Sequence, residues 1–160
     1  GLHDPDVDTA AALADWQDWA EDQLVALGLA GNLRSARDPA AVAEMVSVAR
    51  TALTSEPVRR AAGVRHWAEL PVAGPLTTAD GTTVAVDGIV DLVAEEPDGT
   101  LSVIDYKTDV SATTATVDEY LLQLCAYAQL LGQTTGTPVS RIDLVFCRGP
   151  QATVVTRRLS

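Results

Sequence analysis

The sequence predicts an α/β (α+β) domain in which N-terminal helices precede a mixed central sheet with flanking helices. Two observations support this class. Apolar residues recur at helical spacing through residues 1–63, and short apolar segments separated by turn residues dominate residues 64–160. The chain has 160 residues and 47% hydrophobic residues, which suits a single domain with one core. We therefore expect a helical N-terminal part, residues 1–63, and a core, residues 64–160, within one domain.

Capping residues mark the predicted helices. A long helix over residues 8–29 begins at Asp8, which is a favourable N-cap residue. A second helix begins at Asp38 with Pro39 in its first turn and extends to about Leu53. A short third helix follows over residues 55–62, opened by Ser, Glu and Pro.

The rest of the chain alternates between strands and one helix. A strand is predicted over residues 65–72, ended by Pro71 and Gly74. A hairpin follows, because a turn-forming Pro-Asp-Gly segment joins two apolar stretches. The later predicted elements are strands 82–94 and 101–107, an amphipathic helix 116–131, and closing strands 141–147 and 153–158.

Three charged residues stand inside the two strands of this hairpin. Asp91 lies in Gly-Ile-Val-Asp-Leu-Val, and Asp105 and Lys107 lie in Val-Ile-Asp-Tyr-Lys. Side chains alternate along a strand, so Asp105 and Lys107 share one face, roughly 6.6 Å apart at ~3.3 Å per residue. Ile104 and Tyr106 face the other way. The hairpin can therefore bring Asp91 beside Asp105.

Two neighbouring carboxylates resist ionising together unless a cation lies between them. Their hard oxygen atoms suit Mg²⁺ or Mn²⁺. A lysine beside them can polarise a phosphate or orient an attacking water. This residue set is typical of metal-assisted phosphodiester hydrolysis. The plainer alternative for Asp105 and Lys107 is a surface ion pair that contributes little stability.

The pattern of Asp91, thirteen intervening residues and Asp105-Tyr-Lys107 resembles the PD-(D/E)XK nuclease motif. More specifically, it resembles the C-terminal nuclease domain of RecB and AddA helicase-nucleases. Glu69-Leu-Pro is similar to that family's upstream E-x-P strand, and Gln123 and Tyr127 match its Q-x-x-x-Y helix. The resemblance covers roughly residues 64–158.

The resemblance implies a restriction-endonuclease-like fold and a role for each matched residue. Asp91, Asp105 and Lys107 would be catalytic, and Gln123 and Tyr127 would contact DNA, with Tyr127 orienting Lys107 or touching a phosphate. Mg²⁺ or Mn²⁺ would bind the side chains of Asp91 and Asp105, the Tyr106 carbonyl and Glu69. Glu69 is alternatively a solvated strand residue, and Gln123 and Tyr127 are alternatively a helix surface residue and a core residue.

One family feature has no match in the chain. The family places a metal-binding histidine in a G-x-x-x-H context, whereas His3 and His66 lie in other contexts. We expect both histidines to be surface or structural residues. We also expect the chain to be excised from a larger protein, with its start beyond the usual histidine.

The net charge of −11 argues against tight DNA binding by this chain alone, because proteins that hold phosphates usually carry a basic stripe. We therefore expect a helicase motor, on the same or a partner chain, to deliver single-stranded DNA. ATP would be needed only by that motor.

No apolar run approaches the ~20 residues of a membrane span. Two widely spaced cysteines, Cys125 and Cys147, fit free thiols in a reducing cytoplasm, and the composition is typical of an actinobacterium.

Two principal functions remain open at this point. The first is an exonuclease-type, Mg²⁺-dependent deoxyribonuclease module of a helicase-nuclease that acts in double-strand break repair and recombination. The second is an inactive nuclease-fold module that binds DNA ends or has a structural role in the helicase complex. A self-sufficient restriction-type endonuclease is less favoured, because it would need its own basic surface.

Overall fold

The computed structural model describes residues 39–78, 80–108 and 113–159, which form three helices and five strands. The predicted helix over residues 8–29 lies outside these residues. The helices are α1 (Pro39–Thr54), α2 (Glu56–Ala62) and α3 (Thr114–Thr135). The strands are β1 (His66–Thr77), β2 (Thr83–Glu95), β3 (Leu101–Lys107), β4 (Val139–Phe146) and β5 (Thr153–Arg158).

The strands form one mixed sheet in the order β1-β2-β3-β4-β5. Strands β3 and β4 are parallel, and the other neighbouring pairs are antiparallel. A parallel pair needs a long crossover connection, and α3 lies in that connection. The predicted α+β class with a mixed central sheet is therefore confirmed.

Helices cover both faces of the sheet. On one face, buried residues of α3 pack against apolar residues from β1 to β4, among them Val93, Val103 and Leu144. On the other face, Val58 and Ala61 of α2 pack against residues of β2, β3 and β4, with α1 at the margin. Strand β3 is buried from Leu101 to Asp105 because it lies between these two helical layers.

Local sequence explains where the central elements begin and end. Thr113 caps α3 by accepting a hydrogen bond from the Thr116 backbone N–H at 3.2 Å. Gly136 ends the helix in the left-handed conformation, with φ of 71°. The β2–β3 turn closes through the Glu96 N–H, which donates to the Thr100 carbonyl at 2.8 Å. Helix α3 extends beyond its predicted range of 116–131 at both ends.

Strand β1 is longer than its sequence suggests. Pro71 and Gly74 do not end it, and it continues to Thr77 in register with β2. The prediction was wrong here because β1 is an edge strand. A proline on an edge removes no ladder hydrogen bond if its nitrogen faces away from the neighbouring strand. Strand β4 begins two residues before its predicted start at Arg141, at Val139, whereas β3 and β5 match their predicted ranges.

Neither cysteine forms a disulfide: Cys125 is half-buried and Cys147 is buried, both as free thiols. Among the described residues, no helix combines the length and the apolar composition that crossing a bilayer requires.

A buried carboxylate ties α2 to the sheet. Asp143 of β4 is fully buried and accepts from Arg60 Nη2 at 2.7 Å and from Arg141 Nε at 2.8 Å. The Thr156 hydroxyl donates to the same carboxylate at 2.5 Å. Arg60 also contacts Glu56 and Glu96, so one guanidinium joins α2, β4 and the β2–β3 turn.

We expect Asp143→Ala to lower the free energy of unfolding by about 3–5 kcal/mol, because it leaves two arginines beside an empty buried site. Urea unfolding followed by circular dichroism measures the change. Asp118→Ala is the matched control, since Asp118 is exposed on α3, and it should change the stability by about 0.5 kcal/mol or less. Equal effects of the two substitutions would contradict the structural role of the Asp143 cluster.

Candidate active site

The site is centred on Asp105 and Lys107, at the C-terminal end of β3. Asp105 is 6% exposed, and its neighbours Ile104 and Tyr106 pack on the face covered by α1 and α2. Lys107 lies on the same face as Asp105, and its Nζ is 2.7 Å from Asp105 Oδ2. The predicted alternation along β3, with the two charged residues on one face, is confirmed.

Asp91 lies next to Asp105 at the point where β2 and β3 separate. The backbone pairing of the hairpin runs from Glu95–Leu101 to Leu92–Ile104. Beyond it, Asp91 Oδ2 accepts a hydrogen bond from the Tyr106 backbone N–H at 2.9 Å. The Asp91 side chain thus takes the place of the next backbone hydrogen bond between β2 and β3. The hairpin brings the two carboxylates together as the sequence predicts.

The strand alternation of β2 breaks at Asp91. Val90 and Val93 both pack in the core beneath α3, although a regular strand would place them on opposite faces. Leu92 packs on the other face. The irregularity lies at the site itself, and it places Asp91 beside Tyr106 and Asp105.

Strand β1 has a matching irregularity at Glu69. Glu69 has a φ of 51°, a left-handed conformation that few residues other than glycine adopt. The register with β2 is the same on both sides of Glu69, which lies opposite Asp91. Its side chain is exposed. Within residues 39–78, 80–108 and 113–159, no three His, Cys, Asp or Glu side chains form a group that could hold a metal ion, so the metal role of Glu69 stays a prediction.

Lys107 is held between a carboxylate and an aromatic ring. Its Nζ lies 4.3 Å from the centroid of the Tyr120 ring on α3, in addition to its contact with Asp105. The Lys107 side chain is 19% exposed. Lys107 is also the only lysine in the sequence, which has ten arginines.

Burial dominates the electrostatics of Asp105. Burial raises the pKa of its carboxyl above the usual value; the Lys107 ammonium opposes that shift, and the Asp91 carboxylate adds to it. Burial, with a smaller contribution from Asp91, also raises the pKa of the Tyr106 phenol to about 12. Tyr106 therefore keeps its proton at neutral pH and is not a base there.

The donor set fits a divalent cation. Asp105 Oδ2 is buried, and its one close polar contact among the described residues is the Lys107 ammonium at 2.7 Å. A buried oxygen with a free lone pair is costly unless something binds it. Mg²⁺ commonly binds through one or two carboxylates and keeps several waters. Asp91 and Asp105 supply such a pair, and the Tyr106 carbonyl remains a predicted third ligand.

The predicted helix pair occupies the α3 face beside the site, with unequal exposure. Tyr127 is 8% exposed and packs in the core, whereas Gln123 is exposed. Gln123 Nε2 donates to the Tyr127 hydroxyl at 2.9 Å. The Tyr127 hydroxyl lies against Gly88 of β2, where an added Cβ would be only 2.1 Å from that oxygen. A side chain at residue 88 would force the Tyr127 ring to move, so glycine permits this close approach.

Sequence reasoning missed Tyr120. The aromatic ring at Lys107 belongs to Tyr120 rather than to Tyr127. The spacing of Tyr120, Gln123 and Tyr127 along α3, three and then four residues, places all three on one helical face and could have revealed it. A second indication that the sequence offered is that Lys107 is its only lysine.

The two histidines are not brought to the site by any described contact. His66 Nδ1 lies 2.9 Å from the Val64 carbonyl, and His3 lies outside the described residues.

The raised pKa of Asp105 predicts a specific pH dependence of stability. Its stabilising contribution is complete below the usual value of 3.8 and is lost as the pH rises through the folded-state pKa. With EDTA present, the free energy of unfolding of the wild type minus that of Asp105→Asn should therefore fall as the pH rises above 3.8 and then level off.

Urea unfolding across a pH series measures this difference. Asp98→Asn is the control of opposite sign, because hydrogen bonds from Thr100 lower the pKa of Asp98. Its contribution should be present above 3.8 and lost as the pH falls. A difference for Asp105 that stays constant or rises with pH would contradict the prediction.

A family model and a solved structure are similar to this chain. A sequence model described as the PD-(D/E)XK nuclease superfamily matches residues 2–157. No curated protein matches. A solved structure titled "Crystal structure of SSO0001" is similar, with 14% identity and a TM-score of 0.46. The match covers 89% of this chain and 61% of that one.

The family match spans nearly the whole sequence. Members of this superfamily are generally metal-dependent nucleases, and the mixed sheet with flanking helices has the expected fold. The chain belongs to the PD-(D/E)XK nuclease superfamily.

Proposed function

We propose that this chain is a Mg²⁺- or Mn²⁺-dependent nuclease module that hydrolyses phosphodiester bonds of DNA. The observation that supports it most is the buried Asp105 carboxylate, which lies beside Asp91 and whose Oδ2 has the chain's only lysine as its one close polar contact among the described residues. A purely structural carboxylate at this depth would be fully hydrogen-bonded.

In this proposal the carboxylates of Asp91 and Asp105 would hold the cation. A cation bound there lowers the pKa of a bound water and stabilises negative charge on phosphate oxygens. The Tyr106 N–H fixes the orientation of Asp91 by occupying its Oδ2. The half-buried Lys107 ammonium orients the attacking water or stabilises charge that develops in the transition state.

Gln123 and Tyr127 act as a unit at the DNA-facing side of α3. Gln123 is exposed and contacts the nucleotide backbone, while the buried Tyr127 hydroxyl holds the Gln123 amide. Gly88 allows Tyr127 to approach the β2 backbone. The exposed Glu69, opposite Asp91, would bind the cation directly or through a water.

We further propose that the domain is the nuclease of a RecB- or AddA-like helicase-nuclease in double-strand break repair and recombination. Its net charge of −11 repels the phosphates of DNA, so the chain by itself should bind DNA weakly. Arg60, Arg141 and Arg148 also pair with carboxylates of this chain, which reduces the positive charge available to phosphates. An ATP-driven motor in the cytoplasm would supply single-stranded DNA. Residues 1–63 would form the helical part that precedes the core, residues 64–160.

One observation favours the alternative, an inactive module that binds DNA ends or supports the helicase complex. Within the described part of the chain, the two aspartates have no third His, Cys, Asp or Glu that completes a metal-binding group. Metal binding distinguishes the two functions. An inactive module would show no thermal stabilisation by Mn²⁺ that depends on Asp105.

We expect Asp91→Ala, Asp105→Ala and Lys107→Ala each to reduce Mn²⁺-dependent cleavage of labelled DNA by at least about 10³-fold, because a cation site or its charge stabilisation is lost. Asp87→Ala is the matched control, since Asp87 is exposed on the same strand as Asp91. The assay uses this chain or a longer protein that contains it. Retained cleavage by a folded Asp105→Ala protein would exclude the proposed chemistry.

We expect the chain alone to bind single-stranded DNA weakly and to cleave it much more slowly than a longer protein that includes the motor. The reason is the acidic surface, whose repulsion of phosphates falls as salt rises. Binding and cleavage are compared for both proteins with Mn²⁺ over a salt series. Equal rates for the two proteins would refute the need for a motor, although the nuclease assignment would stand.

A further inference from the structure

We infer that Tyr120 is a positioning residue that holds the Lys107 ammonium at the site through a cation–π contact. This inference rests on the proposed function, because it concerns the lysine of the proposed nuclease. The Nζ lies 4.3 Å from the ring centroid, within the ~6 Å at which such contacts are effective.

The surroundings of Lys107 strengthen this contact. The Lys107 side chain is only 19% exposed, so water competes less for its ammonium than at an open surface. Tyr120 packs against the core beneath α3, next to the buried Leu121 and Leu124. Because Tyr120 is part of α3, which packs on β2 and β4, the position of its ring is fixed relative to the sheet.

A neutral ring provides a hold that a carboxylate cannot. In the structure, Asp105 Oδ2 contacts the ammonium at 2.7 Å, but the same oxygen belongs to the proposed cation site. When that oxygen binds a cation, its attraction for Lys107 falls. The Tyr120 ring offers no carboxylate oxygen to compete for the cation, so it keeps Lys107 in place. Lysine has a flexible four-carbon stem, so a second restraint limits where the charge lies.

A spectroscopic test requires no cleavage. Lys107 is the chain's only lysine, so ¹³C-labelled lysine gives one set of side-chain signals. The ring current of Tyr120 should shift the Lys107 ε-proton signals upfield in the wild type and in Tyr120→Phe. The shift should be lost in Tyr120→Leu. Signals at random-coil positions in the folded wild type would overturn the inference.

The functional test first removes the aromatic ring and then varies its electron density while its shape is kept. Tyr120→Phe should keep cleavage within about threefold, and Tyr120→Leu should lower kcat about tenfold with little change in KM. Replacing residue 120 by phenylalanines of increasing fluorination should lower kcat progressively, because fluorine withdraws the ring electrons that attract the cation. Leu122→Ala is the control on the same helix, at a side chain that is exposed.

The outcomes separate the two proposals. If Asp105→Ala and Lys107→Ala abolish cleavage while the fluorinated series is flat, the nuclease stands and the role of Tyr120 is refuted. If folded Asp105→Ala still cleaves DNA, the nuclease proposal fails, while the lysine spectrum still reports whether the ring holds the ammonium. Should Tyr120→Leu fail to fold, the fluorinated series and the wild-type spectrum decide alone.

Discussion

The site depends on the burial of one carboxylate. Asp105 lies on β3, the central strand, which both helical layers cover, and burial raises the pKa of its carboxyl. An ionised group there is costly unless a positive charge lies beside it. Lys107 supplies part of that charge through its contact with Oδ2, and no other donor to this oxygen lies among the described residues. A cation would satisfy this oxygen, so the feature that destabilises the free fold is the one that favours metal binding.

The geometry of the neighbouring strands follows from the same need for an open position. The backbone pairing of β2 with β3 ends at Leu92, and the Asp91 carboxylate accepts the hydrogen bond of the Tyr106 N–H. No backbone hydrogen bond between the strands therefore fills the space beside Asp105. The alternation of β2 breaks at that residue. Gly88 then lets Tyr127 of α3 approach β2 closely. A regular sheet at this point would close the ladder and leave less room for a cation or a phosphate.

The sequence predicted those features that depend on nearby residues. The β2–β3 turn, the extent of β3 and the shared face of Asp105 and Lys107 all follow from local alternation and turn chemistry. The passage of β1 through Pro71 was not predictable locally, because it depends on the position of β1 at the edge of the sheet. Contacts between distant segments, such as Arg60 with Asp143 or Lys107 with Tyr120, require the packed fold before they can be inferred.

Two buried aspartates on adjacent strands show how the fold separates structure from function. Asp143 faces α2, and two arginines and a threonine hydroxyl satisfy its carboxylate. Asp105, on the opposite face, has one lysine at its Oδ2 and no other donor to that oxygen within the described part of the chain. Both are costly to bury, but only the second leaves coordination capacity unused. The fully satisfied carboxylate fixes a helix on the sheet, whereas the incompletely satisfied one marks the position where a ligand would contribute stability.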